Sequence, residues 1–419
     1  MTTPSKPGIN RRTTLALMGA GAFTAATPWV ARAQAKTIKI GMPTILSGRV
    51  AQLGTSSRNA VMIEVEKINA AGGLAGRQIE MVIRDSKGQP QEAARIAREL
   101  VNTDGCEMLI DGEASSGSFA VHEVARDIGV LCIHTCSEAS SLTADPKQHI
   151  PNAFRCVRQG IHDSIAGGNY AAGIAKAKGL KKWATCSPDY AYGRDTTAEF
   201  VTYLKHFAPD VEIISETWPK LFQPDYTETV TKILQAKPQA LYSALWGGDL
   251  TSYIDQANIY AMFTQMEVFA VNMADYTALT VVKNLPKGIH SGNRYIKTFP
   301  ATAENAAWGD AYKAKYKEYP TNWSWQNATA MMFLSEAVKK VNSTDGKKVA
   351  EALTGLTIKC PFGADGTVTM RADDHTLIGY AIGWGTTIPT EPYVPDVQSG
   401  DWKQILALEA EWKKSKGYT

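Results

Sequence analysis

The chain has 419 residues with 44 basic and 41 acidic side chains, so its formal net charge at pH 7 is only +3. Charges of both signs are interspersed along the chain, which excludes the concentrated basic surface of a nucleic-acid-binding protein. The length exceeds what one hydrophobic core usually covers and predicts two lobes.

The N-terminus is typical of an export signal. Arg11 and Arg12 precede a weakly apolar stretch at 15–30, and the small residues 33–35 follow it. This order predicts cleavage after Ala35, and the paired arginines favour a twin-arginine signal over a Sec signal, which stays the alternative. A membrane anchor is disfavoured because the apolar stretch is short and contains Pro28, whereas a spanning helix needs roughly 20 apolar residues.

Cleavage changes the charge balance. Removing residues 1–35 takes away four of the 44 basic residues and none of the 41 acidic ones, which leaves 384 residues with a net charge of −1. We therefore expect a soluble periplasmic protein whose slight positive charge belongs to the removed segment.

Short apolar runs alternate with amphipathic stretches from Lys36 onward, which predicts an α/β fold with parallel sheets. The first block predicts strands at 38–42, 79–84, 108–111 and 130–134, with helices at 56–71, 90–103 and 116–128. The second block predicts helices at 160–178, 193–206, 225–236, 248–260 and 275–283, with strands at 182–187, 211–216, 239–244 and 267–271. The remaining elements are a strand at 289–295, helices at 303–319, 324–341 and 346–354, and strands at 367–370 and 378–384.

We expect two lobes joined by short crossings rather than by a linker, because no Pro/Ser-rich segment separates the blocks. Lobe 1 is predicted to comprise 36–157 plus 292–374, and lobe 2 to comprise 158–291 plus 375–419. The six cysteines do not form a disulfide framework by their spacing, although pairing stays open in an oxidising compartment. Ligand spacing for a metal is missing from the sequence, so neither a metal nor a cofactor is expected.

Five short motifs occur in order along the chain. They are 47–54 after the first strand, Asn69-Ala70-Ala71-Gly72-Gly73 and its continuation to Ile79, Asp85, Tyr190-Ala191-Tyr192-Gly193, and Pro361-Phe362-Gly363. Together they resemble the branched-chain amino acid-binding (leucine/isoleucine/valine-type) family of periplasmic solute receptors over residues 37–419. The resemblance implies a type I periplasmic-binding fold, with two Rossmann-like lobes, three hinge crossings and a ligand held between the lobes.

Two loops of lobe 1 are candidates for carboxylate binding. Ligands of open parallel sheets collect at the carboxyl ends of strands, where helix N-termini favour anions. Ser115 and Ser116 open a predicted helix there, and the resemblance implies that Ser115 holds a ligand carboxylate, with an ordinary N-cap as the alternative. In the next loop the resemblance implies a backbone contact at Ser137. Glu138 departs from the family pattern and is a possible contact, since it would repel an anion unless a cation pairs with it.

Lobe 2 is predicted to supply aromatic contacts. Tyr190 and Tyr192 follow one strand, and Trp246 follows another with two glycines directly behind it. Tyrosine and tryptophan offer a flat apolar face together with a polar group, so they suit a ring-bearing ligand. The resemblance implies that Tyr192 and Trp246 lie against the ligand, although packing is the commoner role of aromatic residues at strand ends.

The chemistry of the ligand is inferred from two positions at which the chain departs from the family pattern. The family's acidic partner for an α-ammonium corresponds to Met273, and Leu53 stands where a tyrosine is common. A buried ammonium without a counter-charge is costly. Unless Asp275 or Glu138 supplies that charge, the ligand is therefore expected to lack an α-amino group. We expect an aromatic or hydrophobic carboxylate, with branched-chain amino acids or short-chain amides and urea-type ligands as alternatives.

The predicted function is that of a solute-binding receptor that closes on its ligand and delivers it to an ABC permease in the inner membrane. A module that reports ligand to a signalling partner is the alternative, and a monomer is expected. An enzyme is disfavoured, because Ser115 lacks the flanking glycines of a nucleophile elbow and His122-Glu123 lacks the second histidine of a zincin helix.

Overall fold

The computed structural model describes residues 1–4 and 37–418. The predicted export signal, apart from residues 1–4, and its cleavage site lie outside the described residues. None of the helices in 37–418 combines the length and hydropathy needed to cross a bilayer.

The first half of the described chain alternates strands and helices. In order these are β1 (Ile38–Thr44), α1 (Ala51–Ala70), β2 (Ile79–Asp85), α2 (Pro90–Asn102), β3 (Met108–Asp111), α3 (Ser115–Ile128), β4 (Leu131–His134), α4 (Ser141–Ala144), β5 (Ala153–Arg155), α5 (Gly160–Lys178), β6 (Lys182–Cys186), α6 (Ala191–Phe207) and β7 (Glu212–Thr217). Local chemistry sets several bounds: Pro90 begins α2, and α3 ends at Gly129 with φ at +75°.

The second half continues the alternation and then becomes more irregular. Its elements are α7 (Thr227–Ala236), β8 (Ala240–Ser243), α8 (Gly247–Ile259), a 3-10 turn (Met262–Thr264), β9 (Glu267–Ala270), β10 (Ala274–Asp275), α9 (Tyr276–Leu279), β11 (His290–Tyr295), α10 (Ala303–Tyr316), α11 (Asn322–Val341), α12 (Gly346–Leu353), β12 (Thr357–Lys359), β13 (Thr367–Met370), β14 (Leu377–Ile378), β15 (Gly383–Thr386), β16 (Gln398–Ser399) and α13 (Trp402–Lys416).

Two large sheets organise these elements. The first has the strand order β2-β1-β3-β4-β5 and is entirely parallel. The second has the order β16-β15-β11-β9-β8-β6-β7, with β10 beside β11, and is parallel except where β15 joins β11 and β16. A small antiparallel sheet holds β12, β13 and β14. Every residue of β3, β4 and β8 is buried, as expected for central strands covered on both faces.

Three segments of the chain pass between the sheets: from β5 into α5, from β11 into α10, and from β14 into β15. The first and third contact each other, since the Tyr380 hydroxyl accepts a hydrogen bond from the Gln159 N–H at 3.1 Å. The division into lobes stays a prediction, and β11 continues in the second sheet to Tyr295.

Several sequence predictions need correction. Helix α1 begins at Ala51 rather than at 56, and the helix predicted at 275–283 is a single turn that ends at Leu279. The strand predicted at 378–384 is two strands in different sheets, because Gly379 adopts a φ of +84° and turns the chain between them. Sequence reasoning also missed β5, β12 and the full extent of α13.

Candidate functional site

A pocket opens at the carboxyl ends of strands from both large sheets, which is where open parallel sheets bind ligands. We call it the main pocket; it is lined by Leu53, Ala114, Ser115, Cys136, Glu138, Tyr190, Tyr192, Trp246, Gly247, Asn272, Asp275, Thr277, Arg294, Asn322 and Trp323. The cavity itself measures about 30 Å³, and all of the space between these atoms, with the open solvent at its mouth, amounts to about 450 Å³. Five of the eight predicted ligand contacts line it: Ser115, Glu138, Tyr190, Tyr192 and Trp246.

Three helices begin at this pocket without a side-chain cap. Their N-cap residues are Ala114 for α3, Tyr190 for α6 and Trp246 for α8, and none of these side chains bonds the first turn. The first N–H groups of a helix have no partner within the helix and carry the positive end of its dipole. The three starts therefore give the main pocket a favourable potential for an anion.

Only one of the three predicted serines reaches the pocket wall. Ser115 lines it, and its hydroxyl accepts a 3.4 Å hydrogen bond from the Ala139 N–H. Ser116 is half-buried in the first turn of α3, and its side chain does not line the pocket. Ser137 is fully buried behind the wall. These placements follow from the helix geometry, since consecutive residues of a first turn point in different directions.

Aromatic rings form the walls from both sides. Tyr190 and Tyr192 lie 6.0 Å apart between ring centroids, and Trp246 meets Trp323 edge-on at 5.7 Å. Trp323 stands in the first turn of α11 and was not predicted, because a tryptophan near a helix start gives no signal in the sequence that separates it from packing. Leu53 adds an aliphatic surface, as expected.

A buried network of charges forms the floor. Arg294 of β11 donates to the carboxylates of Asp163, at 2.6 Å, and Glu138. Asp163 also accepts from Arg158. Burial lowers the pKa of the Arg294 guanidinium, but attraction by Glu138 and Asp163 prevails and raises it above the usual value. Glu138 therefore has the cationic partner that the sequence did not identify, and it can line an anion-binding pocket.

Asp275 is a second carboxylate in the pocket wall. Its two oxygens accept from the backbone N–H groups of Thr277, at 2.9 Å, and Asn322, at 2.6 Å. Burial raises the pKa of Asp275 to about 6, although these hydrogen bonds lower it. A carboxyl group with that pKa changes its charge within the physiological range of pH.

Met273 lies away from the pocket, while its neighbour Asn272 lines it. Met273 is fully buried in a hydrophobic cluster with Leu245 and Leu250, and it does not line the pocket. The preceding residue, Asn272, faces the pocket instead, because its amide donates to the carbonyl oxygen of Leu245 at 3.1 Å and to the Tyr192 hydroxyl at 2.9 Å. A neutral side chain still occupies this position, while Asp275 supplies the nearby negative charge that the prediction named as an exception.

One arginine links the loop before α1 to helix α8, whose first residue, Gly247, lines the pocket. Arg49, from the loop before α1, donates to the Ser252 hydroxyl at 2.7 Å and pairs with Asp249 at 3.4 Å, both on α8. Loops from the two large sheets are therefore in contact.

Metal and thiol chemistry have little support here. Within the described residues there is no cluster of three or more His, Cys, Asp or Glu side chains that could hold a metal ion. All six cysteines of the described chain are free and buried. Burial raises the pKa of the Cys136 thiol to about 12, so this pocket residue stays protonated.

Comparisons with known proteins agree with this architecture. A model of the periplasmic binding protein family matches residues 37–382. The leucine-, isoleucine-, valine-, threonine- and alanine-binding protein of Pseudomonas aeruginosa is 27% identical over 340 residues, which cover 78% of this chain and 85% of that protein.

Two solved structures show the same fold. The solute-binding protein of an ABC transporter from Rhodopseudomonas palustris BisB5, in complex with 3,4-dihydroxybenzoic acid, superposes with a TM-score of 0.78 at 22% identity, covering 87% of this chain and 98% of that one. A branched-chain amino acid transporter substrate-binding protein from Streptococcus pneumoniae, in complex with isoleucine, gives 0.74 at 22% identity, covering 87% and 99%. The predicted type I fold and the predicted resemblance are confirmed.

Proposed function

We infer that this chain, which belongs to the periplasmic binding protein family, captures a small aromatic carboxylate in its main pocket for import. Membership of the family makes the chain a substrate-binding receptor of ABC transporters and not an enzyme. The ligand class is our proposal.

The observation that carries the proposal is the meeting of three uncapped helix starts with aromatic walls in one pocket. The N-terminal amides of α3, α6 and α8 favour a carboxylate. The Ser115 hydroxyl adds one neutral donor, and the rings of Tyr190 and Trp246 offer faces for an apolar ring. A ligand that combines a carboxylate with an aromatic ring satisfies both features.

Charge balance supports the same ligand class. Arg294 balances Glu138, and Asn272 is neutral where an acidic partner for an ammonium is expected. Two solute-binding proteins of Rhodopseudomonas palustris with this fold have structures in complex with 3,4-dihydroxybenzoic acid and with benzoate. These relatives share the fold, so they favour the proposal without determining this chain's ligand.

A branched-chain amino acid is the second candidate, and Asp275 favours it. This carboxylate lines the pocket and accepts from two backbone N–H groups, and within residues 37–418 it forms no ion pair with a cationic side chain. When ionised, it could accept an α-ammonium. The curated relatives named for leucine, isoleucine and valine are consistent with this alternative.

Calorimetric titration with benzoate, 4-hydroxybenzoate, leucine and isoleucine separates the two candidates. Aromatic acids are expected to bind with micromolar affinity, about −8 kcal/mol, and the amino acids at least tenfold more weakly. Ser115→Ala should weaken benzoate binding about fivefold through loss of one hydrogen bond to an anion. Ser116→Ala is the matched control, since that side chain lies outside the pocket wall. Binding of leucine or isoleucine alone would overturn the aromatic proposal.

Delivery to a permease completes the proposed function. We propose export by the N-terminal signal, a monomeric receptor in the periplasm, and closure of the two predicted lobes on the ligand. The bridge from Arg49 to α8 supports closure. Closure would present a surface that an inner-membrane permease recognises, because ligand binding shifts the population towards the closed state.

A further inference from the structure

Glu138 has one occupied and one unoccupied carboxylate oxygen. Its Oε1 accepts from the Arg294 guanidinium and, at 2.8 Å, from the Asn322 amide. Its Oε2 is buried and has no hydrogen-bond partner in the described chain, although the side chain is only 5% exposed and lines the main pocket. A buried carboxylate oxygen without a donor costs free energy, so this atom is poised for a donor that the ligand brings.

Arg294 presents the complementary group. Its Nη1 and Nη2 donate to Asp163 and Glu138, whereas its Nε is buried without a partner among the described residues. Nε shares a carbon atom with Nη2, and Oε2 shares one with Oε1. The two unpartnered atoms therefore belong to groups that are already in contact and that both line the pocket.

Asp275, the other carboxylate in the pocket wall, differs from Glu138 in its hydrogen-bond partners. Each oxygen of Asp275 already accepts one backbone N–H group, whereas Oε2 of Glu138 accepts none from the described residues. Glu138 is thus the carboxylate that can discriminate between ligands through a hydrogen bond.

A hydroxyl group both donates and accepts hydrogen bonds. It therefore matches the unpartnered acceptor of Glu138 and the unpartnered donor of the neighbouring Arg294. An ammonium can satisfy Glu138 but cannot accept from Arg294, and an ether oxygen can accept but cannot donate. Because Arg294 already balances the charge of Glu138, a neutral group suits this position better than a second cation.

We propose that Glu138, positioned by Arg294, is a specificity-determining residue that selects aromatic carboxylates carrying a ring hydroxyl. This inference rests on the proposed function, since it places the ligand carboxylate at the helix starts. The hydroxyl donates to Glu138 Oε2 and accepts from Arg294 Nε.

The first test compares ring substituents on the unaltered protein. Calorimetry with benzoate, 3-hydroxybenzoate, 4-hydroxybenzoate and the two corresponding methoxybenzoates is expected to show one hydroxybenzoate binding at least tenfold more tightly than benzoate. Its methoxy analogue should lose that gain, because an ether oxygen cannot donate to Glu138. Equal affinities for benzoate and both hydroxybenzoates would overturn the inference while leaving the proposed function intact. If none of the benzoates binds but leucine does, the proposed function itself fails.

The second test assigns the discrimination to one residue. Glu138→Gln should reduce the ratio of hydroxybenzoate to benzoate affinity to about threefold or less, because the amide can present N–H groups in place of Oε2. Asp275→Asn is the matched control, since it removes the other pocket carboxylate and should keep the ratio. Circular dichroism checks that both variants fold. If folded Glu138→Gln keeps the same ratio of hydroxybenzoate to benzoate affinity as the unaltered protein, the role of Glu138 is refuted. If that variant does not fold, the ligand series on the unaltered protein decides the question.

Discussion

The charge of Asp275 should make ligand affinity depend on pH in a direction that reveals the ligand class. Burial raises the pKa of this carboxyl group to about 6, and its side chain lines the pocket. Arg294 attracts its charged form and Glu138 lies nearby in the same wall. An anionic ligand binds better when Asp275 is neutral, so its affinity should rise as the pH falls through about 6. A zwitterionic amino acid needs the ionised form and should show the opposite trend.

The size of the effect follows from linkage between protonation and binding. With a pKa of about 6, the neutral fraction of Asp275 falls roughly tenfold for each pH unit above that value. If an anion binds only the neutral form, its affinity decreases by about 50-fold between pH 6 and pH 8. Binding that requires the ionised form changes little above pH 7 and weakens below pH 6.

Titration calorimetry at half-unit steps from pH 5.5 to 8 measures this dependence. The carboxylate of a benzoate-type ligand stays ionised throughout this range, since carboxyl groups of this kind titrate near pH 4. Asp275→Asn should remove the slope for an anionic ligand. An affinity for benzoate that is constant from pH 5.5 to 8 in the unaltered protein would refute the coupling between Asp275 and the bound carboxylate.

Three further outcomes are expected. Trp246→Ala should weaken binding more than tenfold in calorimetry, because it removes a nearly buried ring from the pocket wall; unchanged affinity would remove Trp246 from the site. Arg294→Leu should lower the free energy of unfolding by about 3 kcal/mol or more in urea titration, since Glu138 and Asp163 lose their shared cation; an unchanged midpoint would contradict the charge network. A coloured thiol reagent should find no reactive cysteine in the native protein and six after unfolding of an unreduced sample, and fewer than six would reveal a disulfide.

Features that depend on chain order and local chemistry were predictable from the sequence. Ser115, Tyr192 and Trp246 follow short apolar strands directly, and the carboxyl ends of parallel strands meet at one edge. The alternation of strands and helices therefore places these residues at that edge, while the family resemblance implied that they contact the ligand. The rule does not determine which of two adjacent residues faces the pocket. For Met273 and Asn272, that orientation depends on hydrogen bonds that Asn272 makes to a neighbouring loop.

Arg294 and Asn322 could not be found in the same way. Arg294 lies within β11 rather than at the loop of a strand end, and Asn322 begins a helix far along the chain. Both donate to the same carboxylate oxygen of Glu138, although they lie 156 and 184 residues away along the chain. A buried cation within a strand was the available signal, since such a charge requires buried partners. Glu138, for which the sequence indicated no cationic partner, and Arg294 are the two members of one ion pair.

The two glycines behind Trp246 connect the site to closure. A side chain at Gly248 would stand 2.5 Å from the backbone oxygen of Arg49, and Gly247 adopts a φ of +53° beside Val50. The sequence suggested that these glycines leave room near the tryptophan, whereas the structure shows that they admit the loop that carries Arg49. This loop comes from the first sheet, and α8 comes from the second. The contact between the loop and the start of α8 therefore also determines the position of Trp246. Substitution of Gly248 should therefore hinder closure and ligand binding together, without changing any group that contacts the ligand.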